Sequence, residues 1–334
     1  MWHNDCRNPL REILRQDARP KMRDIMSIEP TTAFTLADLA VFDEAHLREV
    51  IANVSGAVSP IMAGCAFAAD KTEGQDALAP LARRIERALA PDDRATFAQT
   101  RQRDIPGGER EAARRAVLET LFWELVYWKS PDDYERLTAG EQVHLGALDA
   151  AHVNDAVVLD AGAGAGRVTL PLARRARTVY AMDAAPPLLQ LLERKVADAD
   201  LRNVEVLRGV FRRVPLPDDS VDAVISCSAF GVQEARGGER GLDELQRVTR
   251  PGGRILILWP EDPGWLARHG FWYATLPGRL TITFPSLEDA YAIATRFYGP
   301  AALHHLEITQ RPELPFRVLG VRPPRDFCCL TVRK

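Results

Sequence analysis

The chain lacks any apolar run that reaches the ~20 residues needed to span a bilayer. It has only 5 cysteines, Cys6, Cys65, Cys227, Cys328 and Cys329, scattered, odd in number and without C-x-x-C spacing. That pattern excludes a disulfide framework and a cysteine-built zinc site. Aromatics are sparse at 7%, and neither sign of charge dominates: 43 Lys and Arg face 46 Asp and Glu, a net charge of −3. With no basic excess, nothing marks an electrostatic footprint for nucleic acid. Arginine-rich pieces such as Arg174-Arg175-Ala176-Arg177 alternate with acids and read as solvated helix faces. Met1 to Arg23 is polar and charged, without an apolar signal-peptide core. His144 and the His304-His305 pair show no metal-ligand spacing, so no metal is expected. Together these absences predict a cytoplasmic protein with neither a nucleic-acid nor a membrane partner.

What is present falls into two halves, and 334 residues suffice for two cores. Residues 1–26 read as a loosely organised, disordered extension. Residues 27–126 read as an all-helical module, because no strand-like alternation occurs before residue 155. Thr35 is a candidate helix cap, and Asp43 to Asn53 carries an apolar stripe of Leu47, Val50, Ile51 and Val54. Ala77 to Leu89 is a further helix. Glu109 to Trp128 reads as one long helix with Ala113, Val117, Leu121, Phe122 and Leu125 on one face.

Residues 127–334 contain the most informative stretch, Val157-Val158-Leu159-Asp160-Ala161-Gly162-Ala163-Gly164-Ala165-Gly166-Arg167. A buried strand, a tight turn and a helix start follow one another there. Glycines suit such a turn because a Cβ would hold a ligand away from the backbone and the helix end. The dinucleotide fingerprint G-x-G-x-x-G places its third glycine one residue later and leaves room for a pyrophosphate. Here Gly166 comes early, Arg167 follows, and Asp160 precedes the first glycine by two positions. An acid repels a pyrophosphate and favours a ligand with positive charge, which opposes a nicotinamide oxidoreductase. A structural turn in another kind of α/β protein remains open.

A second strand, Thr178 to Asp183, ends in an acid 23 residues beyond Asp160, the spacing at which a carboxylate reaches ribose hydroxyls. Its alternative is a solvated acid capping the helix that starts at Pro186. Asn203 to Gly209, Val221 to Cys227 and Arg254 to Trp259 read as three more strands. The pattern D-x-G-x-G-x-G, then Leu216-Pro217 through Ser226, then Arg247-Val248-Thr249-Arg250-Pro251-Gly252-Gly253-Arg254-Ile255-Leu256, resembles the class I S-adenosylmethionine-dependent methyltransferases across roughly residues 130–334. The resemblance implies an α/β, Rossmann-like, seven-stranded domain, with Phe316 to Leu319 and Phe327 to Val332 as its last strands and the final one antiparallel. It implies S-adenosylmethionine as cofactor, and the lack of a basic nucleic-acid stripe points to a small-molecule methyl acceptor. Asp160, Gly162, Gly164 and Gly166 would hold the methionine end and Asp183 the ribose. The Gly209-Val210-Phe211 turn would hold the adenine, and Ser226 would complete the cofactor-binding set.

The match has gaps. Where the family places an acid for the adenine amine, the chain has Val210, and an unpaired buried amine costs ~1–3 kcal/mol. Phe211 could stack on adenine or belong to the core. No histidine pair follows the fourth strand, where Ala229-Phe230-Gly231-Val232-Gln233 stands. Glu234, Glu261, Asp262 and His269 are candidate general bases, none selected by its spacing, so the catalytic residue is unknown. Cys227 reads as a core thiol. Tyr134 could close over the methionine end. Trp128 could line an acceptor pocket, or both rings could weld the halves together. The aromatics from Trp259 to Trp265 and from Phe271 to Tyr273 could face the acceptor. A non-catalytic binding or regulatory protein on the same fold is the competing class.

Ala33 to Asp43, with Leu47 and Val50, resembles the start of the C-terminal domain of the flagellar motor switch protein, loosely over residues 33–125. Asp43 and Glu44 match that family's acidic pair, whereas Ala45 stands where a basic residue is usual. The resemblance implies an interaction role, with a protein partner for the helical module.

Overall fold

Five runs pair side by side as a parallel sheet, its central strands apolar on both faces: β1 Val157–Ala161, β2 Thr178–Asp183, β3 Val204–Arg208, β4 Val221–Cys227 and β5 Thr249–Leu258. Such runs can be buried on both sides only because successive side chains point to opposite faces. Val158, Val179, Ile225 and Leu256 pack into one layer, and Leu159, Val224, Ile255 and Ile257 into the other. The computed structural model describes residues 34–52, 59–69, 77–141, 143–278 and 280–334. The expected extension 1–26 lies outside these residues, as do Asn53, Val54 and the side chain of Ile51.

Two antiparallel pairings complete a seven-stranded sheet. β6 Trp272–Thr275 and β9 Asp326–Thr331 pair with each other, and β9 pairs with β5. The order is β3-β2-β1-β4-β5-β9-β6. The chain therefore runs outward from β1 and then crosses back to β4. That reversal opens a crevice at the carboxyl ends of β1 and β4, where ligands bind in such sheets. The expected strand Phe316–Leu319 is instead a short helix. Phe316 and Leu319, three residues apart, both bury, and Gly320 at φ +69° ends the turn. The sheet position it was expected to fill belongs to β6.

The helical half contains a 3-10 turn at Leu36–Val41, a helix Glu44–Leu47 that continues as a π-turn over Arg48–Ala52, and helices Pro60–Ala66, Ala79–Ala88 and Pro91–Gln102. The long helix expected at Glu109 to Trp128 is two, Gly107–Thr120 and Phe122–Lys129. Leu121 leaves helical geometry at φ −99°, ψ 11° while its side chain stays 2% exposed. A further helix, Pro131–Gly140, leads toward the sheet. Thr35 does open the first turn, with Asp38 accepting from its backbone N–H at 2.7 Å.

An insertion between β6 and β9 folds onto this half. It holds the two-stranded pair β7 Thr281–Thr283 and β8 Glu313–Pro315 and the helices Leu287–Ile293 and Pro300–Thr309. Phe297, fully buried, stacks on Trp123 at 5.9 Å and meets Phe122 edge-on at 6.4 Å. Arg296 binds Asp133 at 2.9 Å and the Ser130 hydroxyl at 2.8 Å. The same apolar cluster takes in Ala165, Ala185 and Trp259, which follow β1, β2 and β5. Helical half and insertion are thus one cap over the sheet's carboxyl edge. Among the described residues, no helix is long and apolar enough to cross a membrane.

Replacing Phe297 with Ala removes a ring that both parts of the cap share, and is expected to cost about 3–5 kcal/mol in denaturant unfolding. Hydrogen exchange should accelerate in Phe122–Lys129 as well as in the insertion. Acceleration confined to the insertion would show that the two parts do not share a core.

Candidate cofactor site

The turn after β1 is held in a conformation open mainly to glycine. Gly162, Gly164 and Gly166 have φ of +79°, +54° and +91°. A Cβ on Gly162 would collide with the Cβ of Ala229, and one on Gly166 would lie 2.5 Å from Leu192 Cδ1. Gly166 therefore permits the close helix packing assigned to the third glycine. Gly164 faces the other way, with a Cβ there lying 3.3 Å from the Tyr134 ring. The Met182 carbonyl accepts from both Gly162 N–H at 2.8 Å and Ala163 N–H at 2.9 Å, binding the turn to the end of β2.

Both expected acids reach this turn. Asp160 is 1% exposed and accepts from the Thr169 hydroxyl at 2.6 Å. Burial pushes its carboxyl up to about 7, against that hydrogen bond and helped by the charge of Asp183. Asp183 accepts from Gly164 N–H at 2.9 Å and from Ala185 N–H at 3.0 Å. Burial raises it too, and those backbone donors oppose the shift. A carboxylate at the end of β2 thus points into the glycine turn and not into solvent.

A narrow cleft lies beside the turn, lined by Tyr134, Thr138, Asp160, Gly162, Arg167 and Cys227 among others. Its cavity volume is about 10 Å³, so as it stands it is closed far below the ~300–1,000 Å³ of small-molecule sites. The reason is aromatic. Tyr134 lies over Gly164, and Tyr127 meets it edge-on at 5.0 Å. Burial holds both phenols well above their usual range. Tyr134 both covers the turn and packs against the cap core, so neither of its two expected roles is singled out. Trp128 does not line the cleft; it packs with Phe42 and His46 inside the cap.

Arg167 donates to Glu141 at 2.9 Å and approaches the Cys227 sulfur at 3.5 Å. Glu141 also accepts from the Tyr298 hydroxyl at 3.4 Å, and burial raises its carboxyl despite the arginine. Sequence reasoning missed Glu141, Thr138 and Tyr298. They come from the cap, and no spacing links them to the glycine motif.

On the purine side, Gly209 packs so tightly that a Cβ would lie 2.6 Å from the Met182 sulfur. Val210 bridges to Arg213 in a short turn. Phe211 meets Phe230 edge-on at 5.4 Å and stands against Gly162. Ser226 is placed differently from its neighbours. It is fully buried, accepts from Phe230 N–H at 3.2 Å, and holds the loop after β4 without lining the cleft.

The candidate bases are engaged elsewhere. Glu261 binds Arg236 at 3.0 Å, Asp262 caps the Pro263–Arg268 helix through Trp265 N–H at 2.8 Å, and His269 binds Glu239 at 3.0 Å. None of these, nor Glu234, lines the cleft, whereas Cys227 does. The aromatics expected to face the acceptor are structural. Phe271 is 4% exposed in the sheet core, Trp259 packs on Phe316, and Trp272 lies on the edge strand against Phe327. Among the described residues, no three His, Cys, Asp or Glu side chains group as a metal site.

An acid and a guanidinium on one wall suit a zwitterionic amino-acid group. A side-chain-free turn with a second acid, Asp183, suits an attached ribose. The donor set therefore fits a nucleoside joined to an amino acid, and a phosphate is disfavoured by both acids.

Comparison with known proteins agrees. The family described as a methyltransferase domain matches residues 158–253. An uncharacterized methyltransferase of Mycobacterium tuberculosis is 37% identical over 116 residues, covering 34% of this chain and 44% of that protein. The demethylmenaquinone methyltransferase of Clavibacter sepedonicus is 36% identical over 115 residues, covering 34% of this chain and 45% of that protein. The chain thus spans less than half the length of these relatives. A solved structure of a SAM-dependent methyltransferase from Aquifex aeolicus is 20% identical, covers 60% of this chain and 96% of its own, and has a TM-score of 0.37. The glycine turn between its two acids and the point where the sheet order reverses thus lie within a segment, residues 158–253, that matches the methyltransferase domain family.

Proposed function

We propose that the protein transfers a methyl group from S-adenosylmethionine to a small-molecule acceptor in the cytoplasm. The observation that carries this is the unit of Asp160, glycine turn and Asp183 beside a cleft closed by tyrosines. When bound, the cofactor supplies an electrophilic methyl carbon with a neutral leaving group. The chain then has to hold the reacting atoms in line and keep water out. Asp160 and Arg167 are placed to orient an ammonium and a carboxylate. Tyr127 and Tyr134 cover the turn and must shift to admit a full nucleoside. Balanced surface charge favours a small acceptor over nucleic acid. The acceptor would enter between the insertion and the Pro131–Gly140 helix, where Tyr298 and Glu141 meet.

The helical module also offers a surface for a protein partner. Of the acidic pair that matches the motor switch protein, Asp43 is bound to Arg208 at 2.7 Å, and Glu44 lies 3.7 Å from Arg87. A non-catalytic binding role is the second reading, favoured by Val210 and by the small cleft.

Calorimetric titration with S-adenosylhomocysteine separates the two. Micromolar binding is expected, and its loss in Gly162→Ala, where the new methyl strikes Ala229 at a positive φ. No binding by the native chain favours the second reading. The raised carboxyl of Asp160 adds a signature. An ammonium beside it favours the ionised form, so binding at pH 7 should release a proton, and the apparent enthalpy should vary with the buffer's ionisation heat. The variation should shrink as the pH rises from 7 toward 8, where Asp160 is largely ionised in the free protein.

Stability should respond in the opposite sense. An aspartate at ~3.9 unfolded and about 7 folded favours the fold when protonated, so its contribution falls as pH rises through that window. Asp160→Asn is expected to raise the melting temperature above pH 7 while weakening ligand binding. An unchanged or lower melting temperature there contradicts the assignment.

A further inference from the structure

Val210 leaves a purine amine without an acceptor on the turn where the family resemblance expects one. The cap meets that turn from outside at both ends. Arg208, just before it, binds Asp43 at 2.7 Å, and Arg212, just after it, binds Glu49. Both acids belong to the first helical segment, Glu44–Ala52 with its cap Asp43. Arg208 also lies 5.8 Å over the Trp128 ring, which sets the Phe122–Lys129 helix against the same turn.

That helix presents Glu124, Tyr127 and Trp128 at spacings of three and four residues, hence along one side. Tyr127 stands with Tyr134 over the glycine turn, and Trp128 stands by Arg208. Glu124 lies on the same side, close enough for its charge to act on Asp183 and Tyr127. One oxygen of Glu124 is 2.9 Å from His46 Nε2, and among the described residues the other oxygen has no hydrogen-bond partner. His46 is 4% exposed, tilted against Trp128 at 4.6 Å and edge-on to Phe42 at 4.9 Å, so it fixes the carboxylate. An ionised carboxylate only accepts, which is what an exocyclic amine requires.

We propose that the helical half completes the nucleoside site, with Glu124, held by His46, accepting the purine amine in place of an acid at position 210. This rests on the methyltransferase reading and assigns the appended module a part in cofactor recognition. Glu124 is a binding residue here and His46 a positioning residue.

The test is calorimetry on the full chain with S-adenosylhomocysteine and with S-inosylhomocysteine, which carries oxygen in place of the amine. The native chain is expected to favour the adenine ligand by roughly tenfold or more, as for a charge-assisted hydrogen bond. Glu124→Met, close in volume and without an acceptor, should bring the adenine ligand down to the inosine level and leave the inosine ligand nearly unchanged. Glu124→Gln retains a carbonyl acceptor and should keep the preference. Val210→Asp placed in the Glu124→Met background should restore it. If Glu124→Met does not fold, His46→Phe combined with Glu124→Met removes the whole polar pair and serves in its place. An unaltered ligand ratio in the Met variant overturns the proposal, as does a native chain that does not discriminate. A native chain that binds neither ligand overturns the methyltransferase reading and this proposal with it.

Discussion

The Met182 carbonyl, accepting from Gly162 and Ala163, is the contact on which the rest of the site depends. It fastens the turn after β1 to the end of β2 and leaves Gly164 N–H free to meet Asp183. The positive φ angles follow from that fastening, and so does the need for glycine. Without the turn, Asp160 and Asp183 would be two acids with no common target. With it, they flank a strip of side-chain-free backbone, buried beneath Tyr134, at the point where the strand order reverses.

Charge in the cleft is arranged by burial more than by pairing. Among the described residues Asp160 has no cation in hydrogen-bond contact, and its carboxyl rises to about 7. Arg167 is committed to Glu141 and a thiol. A buried acid kept short of a cation is costly in the free protein and becomes an asset once a cationic ligand arrives. The cap closes this arrangement. Its tyrosines cover the turn, its core runs through Phe122, Trp123 and Phe297, and its acids reach both ends of the Val210 turn.

Much of the sheet and the glycine turn were legible in the sequence because local patterns specify them. β1, β2 and β4 are short apolar runs with punctuation, and their limits match the expected ones. Phe316–Leu319 was misread because four apolar residues fit either a strand or a single helical turn. β6 was missed since Trp272 and Tyr273 resemble pocket aromatics as readily as an edge strand. The break at Leu121 has no glycine or proline to announce it. Asp160, the glycines and Asp183 meet as their spacing implied. Ser226 does not join them, because the alternation of β4 turns its hydroxyl beneath the loop. Glu141, Tyr298, Glu124 and His46 lie far from the motif in sequence, and only tertiary packing brings them to it.

The central claim is that this turn receives a nucleoside joined to an amino acid, with Asp183 as its ribose partner. A crystal structure of the full chain with S-adenosylhomocysteine tests it most directly. The expected result is ribose hydroxyls on Asp183, with Tyr127 and Tyr134 moved off the turn. A ligand bound elsewhere, with both rings still seated over Gly164, would contradict it.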